Sequence, residues 1–306
     1  RRVPVRHRRQ QGRAEQVRGE AEREGDDRPL PGRGEQQGEA GGDLRIGRGA
    51  LVSVDAGQSI TLRGAGSITV DGSLKAEGGR IRLDDIREPT SLFDSQRNER
   101  TYRIGAQGVL DVSGDAFTAS DAGGRLRGQV RKGGSIEIGG ALDWDGQDNV
   151  PDRPVDAFVV VERGAKLLAN GSSAQLDIDG AGRQDVASDG GTIVVRSANA
   201  LYLQGGLQAA AGGAGAQGGT LGIAFGGSIH AGGASEDVLA PRAIVLTQDD
   251  REQAVPAKLQ YGHARLSAAQ VGAGGFDNLS LFGNVRAEGD VELRLGQSLR
   301  FHGLQQ

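Results

Sequence analysis

Gly133-Gly134-Ser135-Ile136-Glu137-Ile138 sets two glycines before a short strand in which apolar and polar residues alternate. The unit returns as Gly78-Gly79-Arg80-Ile81-Arg82-Leu83, as Gly190-Gly191-Thr192-Ile193-Val194-Val195 and as Gly218-Gly219-Thr220-Leu221-Gly222-Ile223. Looser copies stand at Gly66-Ser67-Ile68-Thr69-Val70, Gly123-Gly124-Arg125-Leu126 and Gly226-Gly227-Ser228-Ile229. Successive side chains of a strand face opposite ways, so Ile136 and Ile138 share one face while Ser135 and Glu137 share the other. So short a strand cannot bury its apolar face alone, and its copies must stack on one another. The glycines are expected to supply positive-φ corners.

The same parity runs through Val52/Val54, Ile60/Leu62, Leu110/Val112, Leu176/Ile178, Leu201/Leu203, Ile244/Leu246, Leu279/Leu281, Val291/Leu293/Leu295 and Leu299/Phe301. From residue 44 on there is almost no apolar stripe of helical period, and glycine is too frequent for helices. One short helix or loop is compatible with Ala254–Gln270. Asp71-Gly72, Asp179-Gly180, Asp189-Gly190 and Asn170-Gly171 are hairpin signals that also suit the corners of a solenoid. The chain is therefore expected to be all-β, a right-handed parallel β-helix over 44–306, with an antiparallel β-sandwich as the alternative. Aromatics make up 4% of the chain, which suits a narrow core filled by Ile, Val, Leu and Ala. At about 20–25 residues per coil this stretch would make about 11–13 coils.

Two regimes divide the chain. Residues 1–43 are mostly Arg, Glu, Gln and Gly, too poor in apolar groups to offset ordering entropy, and are expected to be a disordered, dispensable tail. Its abrupt change at Gly41-Gly42-Asp43 suggests that it is a non-native reading, foreign to the repeat. Arg1, Arg2, Arg6, Arg8 and Arg9 form a basic cluster, but acidic residues follow from Glu15 to Asp27, as in a solvated tail. Loop insertions are expected near 84–100, with Pro89, and near 146–156, with Pro151 and Pro154. The Gly/Ala run Ala209–Gly219 holds no Asp and so lacks the ligands of calcium-binding repeats.

With 36 basic against 40 acidic residues and few aromatics, the chain carries no footprint for nucleic acid. No apolar run is long enough to span a membrane as a helix. The chain has no Cys, which excludes disulfides, thiolate metal sites and Cys nucleophiles. It also suits a protein that must cross an oxidising compartment unfolded.

The Gly-Gly units, together with "GVLDVSGDA" (108–116), "GGSIEIGGALDWDG" (133–146), "GGTIVVRSANALYLQGGLQAAAGG" (190–213) and "GGFDNLSLFGNVRAEGDVELRLGQSLRF" (274–301), carry a resemblance. Over residues 43–306 the chain resembles filamentous-haemagglutinin-type exoproteins, the large adhesins of the two-partner secretion route. The resemblance implies a β-helix shaft and export through a dedicated outer-membrane pore protein. It also implies attachment at the bacterial surface to a host-cell or matrix receptor, without catalysis. It does not reach a secretion domain, so an internal shaft segment is expected.

Residue chemistry offers few sites. His7, His230, His263 and His302 show no metal-ligand spacing, and no HExxH, P-loop or GxSxG pattern occurs. Neither cofactor nor metal is expected. The best enzyme candidates are Asp177/Asp179 and Asp143/Asp145, each pair flanking one residue of a strand and so projecting from the same face. Outward carboxylates of this kind serve β-helix polysaccharide lyases and hydrolases, the alternative function. Such sites also want exposed aromatics, whereas Trp144 has inward parity with Leu142. Asp84-Asp85 beside Arg82 and Arg87 reads as a loop with surface ion pairs. Asn170-Gly171-Ser172 and Asn278-Leu279-Ser280 fit the glycosylation pattern, but two such matches arise readily by chance.

Overall fold

The computed structural model describes residues 42–85, 100–142, 155–226, 241–249 and 254–303. The expected tail up to residue 41 lies outside them, as do Asp143, Trp144, Asp145, His7, His230 and most of both expected loops. The described chain is all-β with one short helix, built on three long parallel sheets, here I, II and III.

The chain visits the sheets in rotation. A first tier consists of β1 (Leu44–Ile46) in sheet I, β2 (Leu51–Ser53) in II and β3 (Ser59–Gly64) in III. A second consists of β4 (Ile68–Val70), β5 (Ser73–Lys75) and β6 (Arg80–Asp85) in the same order. In the third, β7 (Thr101–Ile104) and β8 (Val109–Asp111) are followed by an antiparallel hairpin, β9 (Ala116–Ser120) with β10 (Leu126–Val130), before β11 (Ser135–Ile138) returns to sheet III. The fourth repeats this plan. There β12 (Phe158–Val161) and β13 (Lys166–Leu168) precede a second hairpin, β14 (Ser173–Ile178) with β15 (Gly182–Ala187), and then β16 (Thr192–Ser197). The fifth is β17 (Ala200–Leu203), β18 (Gly206–Gln208) and β19 (Thr220–Phe225).

Beyond β19 the rotation breaks. β20 (Ile244–Thr247) and β21 (Ala264–Ser267) both join sheet I, and α1 (Ala268–Ala273), packed against β18, takes the place of a sheet II strand. β22 (Asn278–Phe282), β23 (Val285–Ala287) and β24 (Ser298–His302) complete sheets III, I and III. Sheet I runs β1-β4-β7-β12-β17-β21-β20-β23, with the later strand β21 inside the earlier strand β20.

Register explains the alternation. Across sheet III, Ile60, Ile81, Ile136, Ile193, Leu221, Leu279 and Leu299 form one unbroken column. Leu62, Leu83, Ile138, Val195, Ile223, Leu281 and Phe301 form a second beside it. Ile81, Leu83, Ile136, Ile138, Ile193, Val195, Leu221 and Ile223 are all buried in one core. Sheet II adds Val52, Leu74, Leu110, Leu167 and Leu207 in register. Only the end strands expose such positions, Val52 at one end and Leu299 and Phe301 at the other.

Several expectations need correction. Among the described residues sheet III holds seven strands, fewer than the 11–13 expected coils, because hairpins and connections take up chain between tiers. Among the described residues, antiparallel pairing is confined to the two hairpins. Gly123-Gly124-Arg125-Leu126 is no repeat copy but the turn of the first hairpin, with Gly124 at φ 73°. Leu176 is buried, but Ile178, expected on the same inner face, is exposed because β14 leaves the sheets. Val291, Leu293 and Leu295 form no strand, although Leu293 and Leu295 still pack on the core. Asp84 and Asp85 end strand β6 rather than open a loop.

The glycine pairs also have a different cause from the one expected. Of Gly78, Gly79, Gly133, Gly134, Gly190, Gly191, Gly218 and Gly219, only Gly78 has a positive φ. A Cβ on Gly134 would lie 2.0 Å from the Gly79 carbonyl oxygen, and one on Gly191 would lie 2.0 Å from that of Gly134. The Ser135 N–H donates to the Gly79 carbonyl and the Thr192 N–H to the Gly134 carbonyl. The second glycine of each pair therefore permits backbone to stack on backbone between tiers.

Candidate functional site

The Asp177/Asp179 pair lies on the second hairpin, which rises beside the first from the same corner between sheets II and III. The two bases are pinned together. The Ser172 and Ser188 hydroxyls each donate to the Arg131 carbonyl at 2.8 Å, and the Ser188 hydroxyl also accepts from the Ser172 N–H at 2.9 Å.

Nearer the tips, guanidiniums join the hairpins. The Asp177 carboxylate accepts from Arg183 Nε (3.2 Å) and Nη2 (2.9 Å) within its own hairpin, and from the Leu126 N–H (2.6 Å) of the other. Arg127 of the first hairpin donates to the Asp177 carbonyl (2.7 Å) and to the Asp179 carboxylate (2.5 Å). Arg125 stands 3.4 Å from Asp179 and 3.1 Å from Asp121. Asp121 also caps its own turn by accepting from the Gly123 and Arg125 N–H groups.

Three carboxylates and three arginines thus gather on one arm, and their protonation decides what they can do. The Arg183 guanidinium, then the Leu126 N–H, hold Asp177 below the usual carboxylate range. Arg127 does the same for Asp179, and the Arg125 N–H leads in lowering Asp121. A glycosidase acid needs the opposite, a carboxyl kept protonated near neutrality. These acids are ionised partners of arginine; Asp177 and Asp179 fasten one hairpin to the other, and Asp121 braces the turn that carries Arg125.

The pH dependence follows from those directions. Each folded pKa lies below its ordinary value, so the contribution to docking is fully present above that value, near 3.8, and is lost as pH falls through the lowered folded one. Proteolysis within 121–125 and 179–182 is expected to be unchanged from neutral pH to pH 5. It should accelerate only in stronger acid, while the core columns stay protected. Acceleration already at pH 5–6 would show that these pairs do not hold the arm.

Other expected sites also serve structure. Asp85 pairs with Arg100 at 2.5 Å, and Arg100, 7% exposed, also donates to the Ala65 and Asp156 carbonyls. Glu137, 8% exposed on the outer face of sheet III, lies between Arg80 (3.4 Å) and Arg82 (3.6 Å). His263 stacks on Tyr202 and His302 on Phe282. Asn170 accepts from the Ala210 N–H, and Asn278 accepts from the Ser298 hydroxyl. Among the described residues, no group of three His, Cys, Asp or Glu side chains could hold a metal ion. An open groove beside the glycine pairs is lined by Gln58, Ser59, Arg80, Lys132, Ser135, Thr192 and glycines, without a carboxylate.

Sequence reasoning missed an apolar patch on the outer face of sheet I. Phe158, Val160, Ala200 and Tyr202 point away from the main core and are covered by Val255, Leu259 and Tyr261 of the segment leading to β21. The signal was the unbroken run Phe158-Val159-Val160-Val161, because a strand buried on both faces loses its alternation.

No protein-family model matches the chain, and searches of the curated proteins and of the solved structures find no significant match.

Proposed function

We propose that the parallel sheets form a right-handed β-helix, and that the chain is a non-catalytic shaft segment of a secreted bacterial surface adhesin of the filamentous-haemagglutinin type. It would reach the surface through a partner pore in the outer membrane. The observation that carries this reading is the unbroken register of the apolar columns through all seven described strands of sheet III. Such stacking builds an extended object from one repeated interface. Right-handedness follows from the strong preference of parallel crossovers for that hand. Among the described residues, no helix is long and apolar enough to cross a membrane.

The runner-up, a polysaccharide lyase or hydrolase, draws on the three carboxylates and neighbouring arginines of the hairpin arm. Their ionisation counts against it. The purified chain, immobilised, is expected to retain host cells or matrix above an albumin control, and to leave acidic and neutral polysaccharides intact with or without calcium. Asp177→Ala/Asp179→Ala is expected to leave retention and the melting of the sheets unchanged. Depolymerisation abolished by that double substitution would overturn the shaft reading in favour of the enzyme, and loss of retention would move attachment to the arm.

A further inference from the structure

We propose that the crossed order of β20 and β21 is a clasp that makes these two strands open as one unit and halts unravelling from the C-terminal side. Up to β17, each strand of sheet I pairs with the one laid down a tier earlier. After β19 the chain places β20 one position too far along, then turns back and slides β21 into the gap. Ala264 and Arg265 pair with Leu201 and Tyr202 of β17 on one side. Arg265, Leu266 and Ser267 pair with Val245, Leu246 and Thr247 of β20 on the other. β20 in turn carries β23 through Ile244–Val285, Val245–Arg286 and Leu246–Ala287.

In a simple stack, the last tier always leaves without disturbing the one beneath. Here that order fails. Going back from the C-terminal end, β24, β23 and β22 can each peel from an edge. The next strand, β21, is then still held between β17 and β20, and β20 belongs to an earlier part of the chain. β21 leaves only if both of its ladders break together.

Side chains tie the same strands. The Gln248 carbonyl, just after β20, accepts from the Ala269 N–H and the Ser267 hydroxyl at the start of α1, and its side-chain oxygen accepts from the Glu292 N–H. Arg265 of β21 reaches past β20 to Glu288 at 2.9 Å. The returning segment is fixed to the earlier tiers, because the Gln260 N–H donates to the Tyr202 hydroxyl and the Gly262 N–H to the Asn199 carbonyl.

Native-state hydrogen exchange on the full chain tests the clasp. The amides of Val245–Thr247 and Arg265–Ser267 are expected to share one opening with one denaturant dependence, although they lie in different tiers. Ile244→Ala is expected to speed exchange in both segments by the same factor, about tenfold or more, while Ile136–Ile138 stays unchanged. If that variant does not fold, the wild-type denaturant dependence decides alone. Opening of β20 and β23 while β21 stays closed would overturn the clasp.

Discussion

Ile138→Asp unfolds the tiers around β11, and its damage is largest at neutral pH. Ile138 is fully buried between Leu83 and Val195 in the second column of sheet III. Removing its side chain leaves a cavity, and the new carboxylate has no partner there. Together these cost roughly 5 kcal/mol or more, a large share of the stability of an ordinary domain. Burial raises the new carboxyl's pKa in the folded state above its unfolded value. Stability relative to wild type should therefore recover as pH falls through that raised value. Ile138→Asn should lose stability without that pH dependence. The tiers on either side lose a stacking face, so protection should fall first in β6 and β16 and then along the sheets. Thermal melts at two pH values check this, and equal melting of Ile138→Asp and wild type would dismantle the column model.

Ile178→Asn is the informative contrast. In sequence, Leu176-Asp177-Ile178 is indistinguishable from Ile136-Glu137-Ile138, yet Ile178 is 42% exposed on a hairpin and its loss should matter little, within about 0.5 kcal/mol. Period 2 identifies a strand with one apolar face, and it does not say which sheet receives that face. The central columns were legible because four copies share spacing, glycines and parity. The hairpins were not, although Asp179-Gly180 marks one turn, because the same dipeptide step at Asp71-Gly72 turns a corner between parallel strands. The arm's ion pairs were hidden for a related reason. Asp177 and Asp179 were visible as neighbours, but Arg125 and Arg127 lie some fifty positions away and meet them only because two hairpins rise from one corner. The crossing of β20 and β21 has no local signature of its own, since Ala264-Arg265-Leu266-Ser267 alternates like most strands and Ile244-Val245-Leu246 is an apolar run like that of β12.

Gly134→Ala, a change of one methyl group, is expected to destabilise the chain by about 3 kcal/mol, the upper range for overpacking. Its Cβ would fall 2.0 Å from the Gly79 carbonyl oxygen, which is backbone and cannot rotate aside. That same carbonyl accepts the Ser135 N–H, so relief must come from moving β11 off β6, against the about 4.8 Å spacing of paired strands. Two other glycines separate this cause from backbone conformation. Gly124 has open space around its Cβ position but a φ of 73°, so Gly124→Ala should cost about 1 kcal/mol. Gly47 has open space and no positive φ, so Gly47→Ala should be neutral or slightly stabilising through the unfolded chain. Denaturant unfolding of the three variants should rank them Gly134, Gly124, Gly47 in decreasing cost. A Gly134→Ala that unfolds like Gly47→Ala would mean that the tiers do not approach so closely. The expected ranking would instead identify the repeated glycine as the residue that lets one backbone rest directly on the next. On that basis the Gly-Gly step recurs because stacking requires it at every tier of sheet III where it appears, whatever the outward residues beside it are.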